Sequence, residues 1–360
     1  MLIVKVFNIL IFLSIISEMT SPTCLEVLSK AGLEVIGMVA LLMPLGYIYV
    51  FTSHYDPFHR GFFCDDQNLK HPYKEQTVPI VDALLIWAAV SIIFILLVET
   101  LRSNAEYGKR RPDPIPGQKH PPWIAVEIYR HFGYFALGAL GCLVFTEIAK
   151  YTIGRLRPHF LTLCQPNLGP ELCDDEYGYK KFVTEDEDVI CMGLERNGGN
   201  TTKKQLHEAR LSFLSGHSSF SFYCGTFLIV YLQARLSNFP ECSTRWVSLT
   251  YRLLKVFRPF IQFAMIILAF WISLTRISDY FHHPMDVVTG AIVGIGFAGM
   301  TLLVIADVFN RKSSFWKTIM TEDSEPSQSN IIFAQKSMNE DDASDIMRRH
   351  TSSNKTAVYI

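Results

Sequence analysis

Apolar residues along this chain gather into six long stretches, at 31–51, 78–101, 123–149, 213–236, 258–275 and 285–308. Each is rich in Leu, Ile, Val, Phe and Ala, and short charged segments separate them. A helix of about 20 mostly apolar residues spans a hydrocarbon layer. The pattern therefore predicts an all-α, polytopic membrane protein with six core transmembrane helices. A soluble all-helical core is the competing arrangement, and six such runs with charged separators argue against it. Glu34, Glu99, Glu127 and Glu147 lie near segment ends and form no charged stripe. Residues 2–16, with Lys5 ahead of Ile9–Ile16, resemble the core of a signal peptide without a small-x-small cleavage site. They are read as an uncleaved extension over 1–24, or as lying upstream of a start at Met19.

The loops set an orientation, because cytosolic loops carry the excess of Lys and Arg. Arg102, Lys109, Arg110, Arg111 and Lys119 follow the second stretch, Arg245, Arg252, Lys255 and Arg258 follow the fourth, and Arg311 and Lys312 open the tail. With these inside, the loops at 52–77, 150–212 and 276–284 lie outside, in a lumen or the extracellular space. Asn200-Thr201-Thr202, a glycosylation acceptor, falls in an outside loop. So do Cys64, Cys164, Cys173 and Cys191, which permit up to two disulfides in any of three connectivities. Cys142 and Cys224 lie in apolar stretches and read as small buried hydrophobes.

Composition fits the membrane class. The chain is 49% hydrophobic and 19% charged, where a soluble chain carries about a quarter charged residues. The net charge of −1 says nothing about nucleic acid, no sustained basic stripe argues for it, and no nucleic-acid partner is expected. The segment 311–360 mixes seven charges of each sign and reads as a flexible cytosolic tail. Its last residues, Val358-Tyr359-Ile360, could add a strand to a PDZ-type groove. An ordinary disordered end is the plainer reading, and a homo-oligomer is left open.

Polar and basic residues cluster at segment ends: Lys150, Arg155, Arg157 and Pro158; Ser215, Gly216, His217 and Ser218; Arg276, His282, His283 and Asp286. In the orientation above, all three clusters reach the exoplasmic ends of helices three to six. Lys150, Arg157 and Arg276 offer cations that match phosphate oxygens, although Lys150 and Arg157 taken singly could merely snorkel to headgroups. Ser215 and Gly216 open a helix, where free N–H groups bind anions, or where Ser215 is a plain N-cap. A serine nucleophile is disfavoured, since the G-x-S-x-G elbow is absent. His282 and Asp286, four apart, would share a helical face, with the carboxylate fixing the tautomer. His282, His283 and Asp286 could instead ligate a metal, but three nearby cations oppose a divalent ion.

The spacing of these residues resembles that of the lipid phosphate phosphatases, integral membrane members of the type-two phosphatidic acid phosphatase superfamily. Lys150 with Arg157-Pro158 matches K-x6-R-P, Leu214-Ser215-Gly216-His217 matches P-S-G-H, and Thr275-Arg276, His282 and Asp286 match S-R-x5-H-x3-D. Leu214 and Thr275 depart from the superfamily's Pro and Ser. The first outer loop around 57–64 and 72–75 resembles that branch too, and the likeness covers a phosphatase domain over 25–310. The resemblance implies catalytic roles for His217, His282 and Asp286: His282 attacks phosphorus, His217 protonates the leaving alkoxide and Asp286 orients His282. It implies phosphate-binding roles for Lys150, Arg157, Ser215, Gly216 and Arg276. It implies no cofactor and no metal, and as substrates phosphatidate, lysophosphatidate, sphingosine 1-phosphate and ceramide 1-phosphate, met at a plasma membrane or endomembrane among membrane lipids. The same fold also has relatives that lost catalytic residues, so a non-catalytic signalling or scaffold protein is the alternative. A channel, a sugar phosphatase and a lipid phosphotransferase fit less well.

Overall fold

A computed structural model describes residues 56–106, 123–167, 173, 181–184, 190–195, 198–237 and 244–305, with isolated residues between 32 and 43. The chain divides into two units, Met1–Phe309 and Asn310–Ile360, and every described residue belongs to the first. The extension 1–24, most of the stretch 31–51, the basic loop 107–122 and the tail with its C-terminal Ile360 lie outside the described residues.

Five long helices build the described core: α1 (Ile80–Glu106), α2 (Trp123–Ile153), α5 (Gly216–Ser237), α6 (Arg245–Ser278) and α7 (Pro284–Met300). Two short helices, α3 (Phe160–Cys164) and α4 (Lys203–Glu208), lie between α2 and α5. Four spans, Ile80–Ala105, Glu127–Ile153, Arg245–Ser278 and Pro284–Leu303, are long and apolar enough to cross a membrane. The protein is thus an integral membrane protein. The fourth apolar stretch of the sequence forms α5, which lies outside that set because polar residues interrupt it. They are buried: Ser218, Ser219, Ser221, Tyr223 and Tyr231 have almost no exposure. The helix packs against the other four long helices, and these supply partners that lipid could not. The Trp87 indole donates to Ser221 Oγ at 3.0 Å. Tyr223 donates to the Phe135 carbonyl at 2.8 Å.

Local sequence explains the helix ends. Pro79 stands just before α1 and Asp82 sits in its first turn, where a carboxylate complements the helix dipole. Helix α2 stops because Gly154 turns left-handed at φ 57°, and a Cβ there would lie 1.8 Å from the Phe58 carbonyl oxygen. Only glycine lets the loop before α1 cross the end of α2 so closely. A similar constraint joins α7 to α5, where a Cβ on Gly294 would meet the Ser219 carbonyl at 2.2 Å. Helix α6 begins at Arg245, well before the apolar stretch at 258. Leu249, Leu253, Val256 and Phe260 continue an exposed apolar face along it, among basic residues. Pro259 withdraws one donor without ending the helix.

Near the C-terminal ends of α1 and α5 lies a buried ionic hub. Arg235 is bidentate to Glu99, through Nε at 2.9 Å and through Nη2, and also reaches Glu127 at 3.2 Å. Tyr231 donates to Glu99 at 2.6 Å, and His131 lies 3.6 Å from Glu127. Glu99, Glu127 and His131 could in principle hold a metal ion, but Arg235 already contacts both carboxylates. Such a hub joins α1, α2 and α5 at the end of α5 opposite Gly216.

The α2–α5 connection and the loop before α1 form a small cap. Strand β1 (Phe62–Phe63) pairs antiparallel with β2 (Phe182–Val183). The structure joins Cys64 to Cys173 and Cys164 to Cys191. Beneath them Phe62, Leu69, Leu156, Phe160, Leu163, Leu194, Leu206 and Ala209 pack as a second apolar cluster. Asn200 is exposed on this cap.

Candidate active site

The last turn of α2, the N-terminus of α5 and the α6–α7 junction meet beneath the cap, bringing the three motif clusters together. Their first contacts are backbone ones. The Arg157 N–H donates to the Ala209 carbonyl at 2.7 Å, the Ser212 N–H to Arg155 at 2.9 Å and the Ser215 N–H to Asp286 at 3.1 Å. The chain after α2 therefore lies beside the entry to α5, and that entry lies on the start of α7.

His282 is 4% exposed and precedes α7. Its Nδ1 lies 2.7 Å from the Ser212 carbonyl oxygen. A carbonyl only accepts, so Nδ1 carries the proton and Nε2 keeps its lone pair. Burial above all, then Arg157, Lys150 and His217, hold this imidazole well below its ordinary pKa. It is therefore neutral, with a free nitrogen facing a cationic environment.

This arrangement corrects one expectation from the sequence. His282 and Asp286 do not share a helical face, because Pro284 starts the helix and His282 stands outside it. Their closest approach is 4.0 Å, too long for a hydrogen bond. The orienting acceptor for His282 is the Ser212 carbonyl. Asp286, fully buried, takes Arg155 Nη1 at 2.6 Å, the Ser212 hydroxyl at 2.6 Å and the His283 N–H at 3.1 Å. The carboxylate thus fixes the Ser212 peptide and the start of α7, and reaches His282 through Ser212. Ser212 and Arg155 belong to the site although no motif spacing marks them.

His283 caps α7, and its Nε2 lies 3.0 Å from the Leu156 carbonyl. That contact puts the proton on Nε2 and ties the ring to the chain that follows α2. His217, in the first turn of α5, has Nε2 3.1 Å from the Val78 carbonyl and 3.5 Å from Arg276 Nη1. The shorter contact, to an obligate acceptor, puts its proton on Nε2 and leaves Nδ1 to exchange protons.

The cations differ in how fully they are partnered. Lys150 Nζ donates to Glu147 at 2.6 Å, and it lies 3.3 Å from where a Cβ on Gly216 would stand. Glycine at that position leaves room for the ammonium beside the helix N-terminus. Arg276 is fully buried and contacts Thr275, Gln76 and Asp279. Arg157 is stacked 5.1 Å from the Phe281 ring, yet its buried Nε has no partner among the described residues. Burial holds its guanidinium below the ordinary value, against nearby Glu208 and Glu147. A buried guanidinium with an unmet donor is an anion site awaiting its anion. Ser215 Oγ lies 3.5 Å from the Ser218 N–H, a long N-cap contact that leaves the hydroxyl able to serve a ligand.

Residues 132–310 match the PAP2 superfamily. Mouse phospholipid phosphatase 1 is 35% identical over 295 residues, covering 80% of this chain and 88% of that protein. The rat phospholipid phosphatase 1 is 36% identical over 274 residues, covering 76% and 84%. Human phospholipid phosphatase 2 is 30% identical over 287 residues, covering 78% and 84%. No solved structure gives a significant match. Similarity that runs along most of each chain, well beyond the motifs, makes this protein a member of the phospholipid phosphatase family within the PAP2 superfamily.

Proposed function

We propose that the protein hydrolyses phosphate monoesters of lipids through a phosphohistidine on His282. The observation carrying this reading is the combination of a neutral His282 and a buried Arg157, with His282 Nε2 and Arg157 Nε both without a partner among the described residues. A nucleophile beside an unsatisfied cation is what phosphoryl transfer requires, since that chemistry depends on positioning and charge neutralisation.

In the first step His282 Nε2 bonds to phosphorus as the phosphorus–oxygen bond to the lipid breaks. The departing alkoxide takes the Nδ1 proton of His217 in its imidazolium form, leaving a neutral ring that keeps its proton on Nε2 against Val78. In the second step water attacks the phosphohistidine, gives a proton back to His217 and releases inorganic phosphate and neutral His282. Lys150, Arg157, Arg276, the Ser215 hydroxyl and the Gly216 N–H hold the phosphate oxygens. Three cations crowd the place where a divalent ion would have to sit, which favours a reaction needing no metal.

The relatives are phospholipid phosphatases by name, and the site lies at helix ends, where a headgroup can meet it while acyl chains stay in the bilayer. Phosphatidate, lysophosphatidate, sphingosine 1-phosphate and ceramide 1-phosphate fit that class. The charge bias of the loops supports six spanning segments with the site outside the cytosol, and the exposed Asn200 suits a glycan there. A panel of these lipids and glucose 6-phosphate, assayed on purified protein with chelator, tests the reading. Phosphate should come from the lipids; release from the sugar ester alone, or none in chelator, would contradict it.

A further inference from the structure

The segment just before α1 lies outside all three motif clusters, yet it touches two of the reacting groups. Val78 supplies the carbonyl that meets His217 Nε2 at 3.1 Å. Gln76 Oε1 accepts from Arg276 Nη1 at 3.2 Å. Between them, Thr77 is held from two directions by one carboxylate. Its N–H donates to Asp279 Oδ2 and its hydroxyl to Asp279 Oδ1, each at 2.8 Å. Asp279 Oδ2 also accepts from Arg276 Nη2 at 3.1 Å. This carboxylate, 5% exposed, therefore clasps the segment and the buried arginine together.

The clasp acts on a tautomer. His217 Nε2 has two neighbours with opposite demands, the Val78 carbonyl, which needs a proton on that nitrogen, and Arg276, which would donate to it. While Val78 is held in place, the carbonyl prevails and Nδ1 is the basic atom. With Val78 withdrawn, Arg276 Nη1 at 3.5 Å is the remaining partner. The proton then shifts to Nδ1, and a neutral His217 presents no basic atom to the attacking water. Val78 is fixed from both sides, because Pro79 after it favours an extended conformation and opens α1.

We propose that Asp279 and Thr77 are positioning residues that clamp the segment 76–78 and so select the catalytic tautomer of His217. The inference rests on the phosphatase reading above. It predicts a loss in turnover with binding preserved, since Asp279 and Thr275 still anchor Arg276 when only the Thr77 hydroxyl is removed.

The test compares wild type, Thr77→Val and Thr77→Ser, each purified in detergent and matched for elution and thermal midpoint, on phosphatidate. Thr77 is solvent-exposed, so neither change threatens the fold. Thr77→Val should lower kcat about ten-fold, part of the hundred-fold or more that a general acid–base supplies, with KM within about two-fold. Thr77→Ser, which keeps the hydroxyl, should restore kcat. Unchanged kcat in Thr77→Val beside an active wild type would overturn this inference alone. So would a raised KM at constant kcat, or a serine variant as impaired as the valine one. A wild type without turnover would overturn the phosphatase reading itself.

Discussion

His282 owes its chemistry to a peptide oxygen and to burial. The Ser212 carbonyl fixes the proton on Nδ1 at 2.7 Å, and the fold keeps the ring neutral. Arg155 is the outermost part of that support, joined to Asp286 at 2.6 Å. Arg155→Met should therefore lower kcat by up to about a hundred-fold, the cost of misplacing a reacting group by about 1 Å. Arg155→Lys should recover part of it, read from kcat at saturating substrate. Neutral burial also sets a pH dependence. His282 lies well below 6.5 in the fold, and burial beside Arg157 pushes His159 down to about 4. Unfolding frees both to bind protons, so the unfolded state gains protons below about pH 6.5 and stability falls as pH drops. Thermal midpoints from pH 8 to pH 5 should decline, with the decline smaller in His159→Phe. The motif residues were legible because their spacing is local. Ser212, Asp279, Thr77 and Gln76 were not, since they meet partners some 70 to 200 residues away.

Among the elements, α5 shows how burial can replace hydrophobicity. Its serines and tyrosines find partners on α1, α2 and α7, so a helix of polar composition is enclosed within the bundle. The sequence located the stretch at 213–236 but could not tell that other helices enclose it, since enclosure is a property of the neighbours. The same limit applies to Glu99 and Glu127, which read as charges near segment ends and prove to share Arg235. Breaking a buried ion pair by removing one partner costs about 3–5 kcal/mol. Arg235→Met should accordingly lower the thermal midpoint sharply, while the folded fraction keeps its kcat. A fall in kcat at unchanged stability would mean that the hub communicates with the site at the other end of α5.

The described residues form a helical membrane core with a disulfide-bonded cap at one end. The Cys64–Cys173 bond closes 109 residues and so ties the loop before α1 to the loop after α2. Constraining a loop of that length in the unfolded chain stabilises by roughly 4–5 kcal/mol. Reduction should lower the thermal midpoint, and Asn200→Gln should abolish a glycosidase-sensitive gel shift if the cap is luminal or extracellular. Charge bias in the loops sets an expected orientation, whereas the disulfide pairing needed the fold to bring the cysteines together. The central claim is that this molecule dephosphorylates lipids through His282. Its most direct test follows phosphate release from radiolabelled phosphatidate in chelator, with protein-bound label read after rapid quenching. Wild type should release phosphate and carry acid-labile label, and folded His282→Ala should do neither. Turnover or labelling by His282→Ala at the wild-type level would contradict the account.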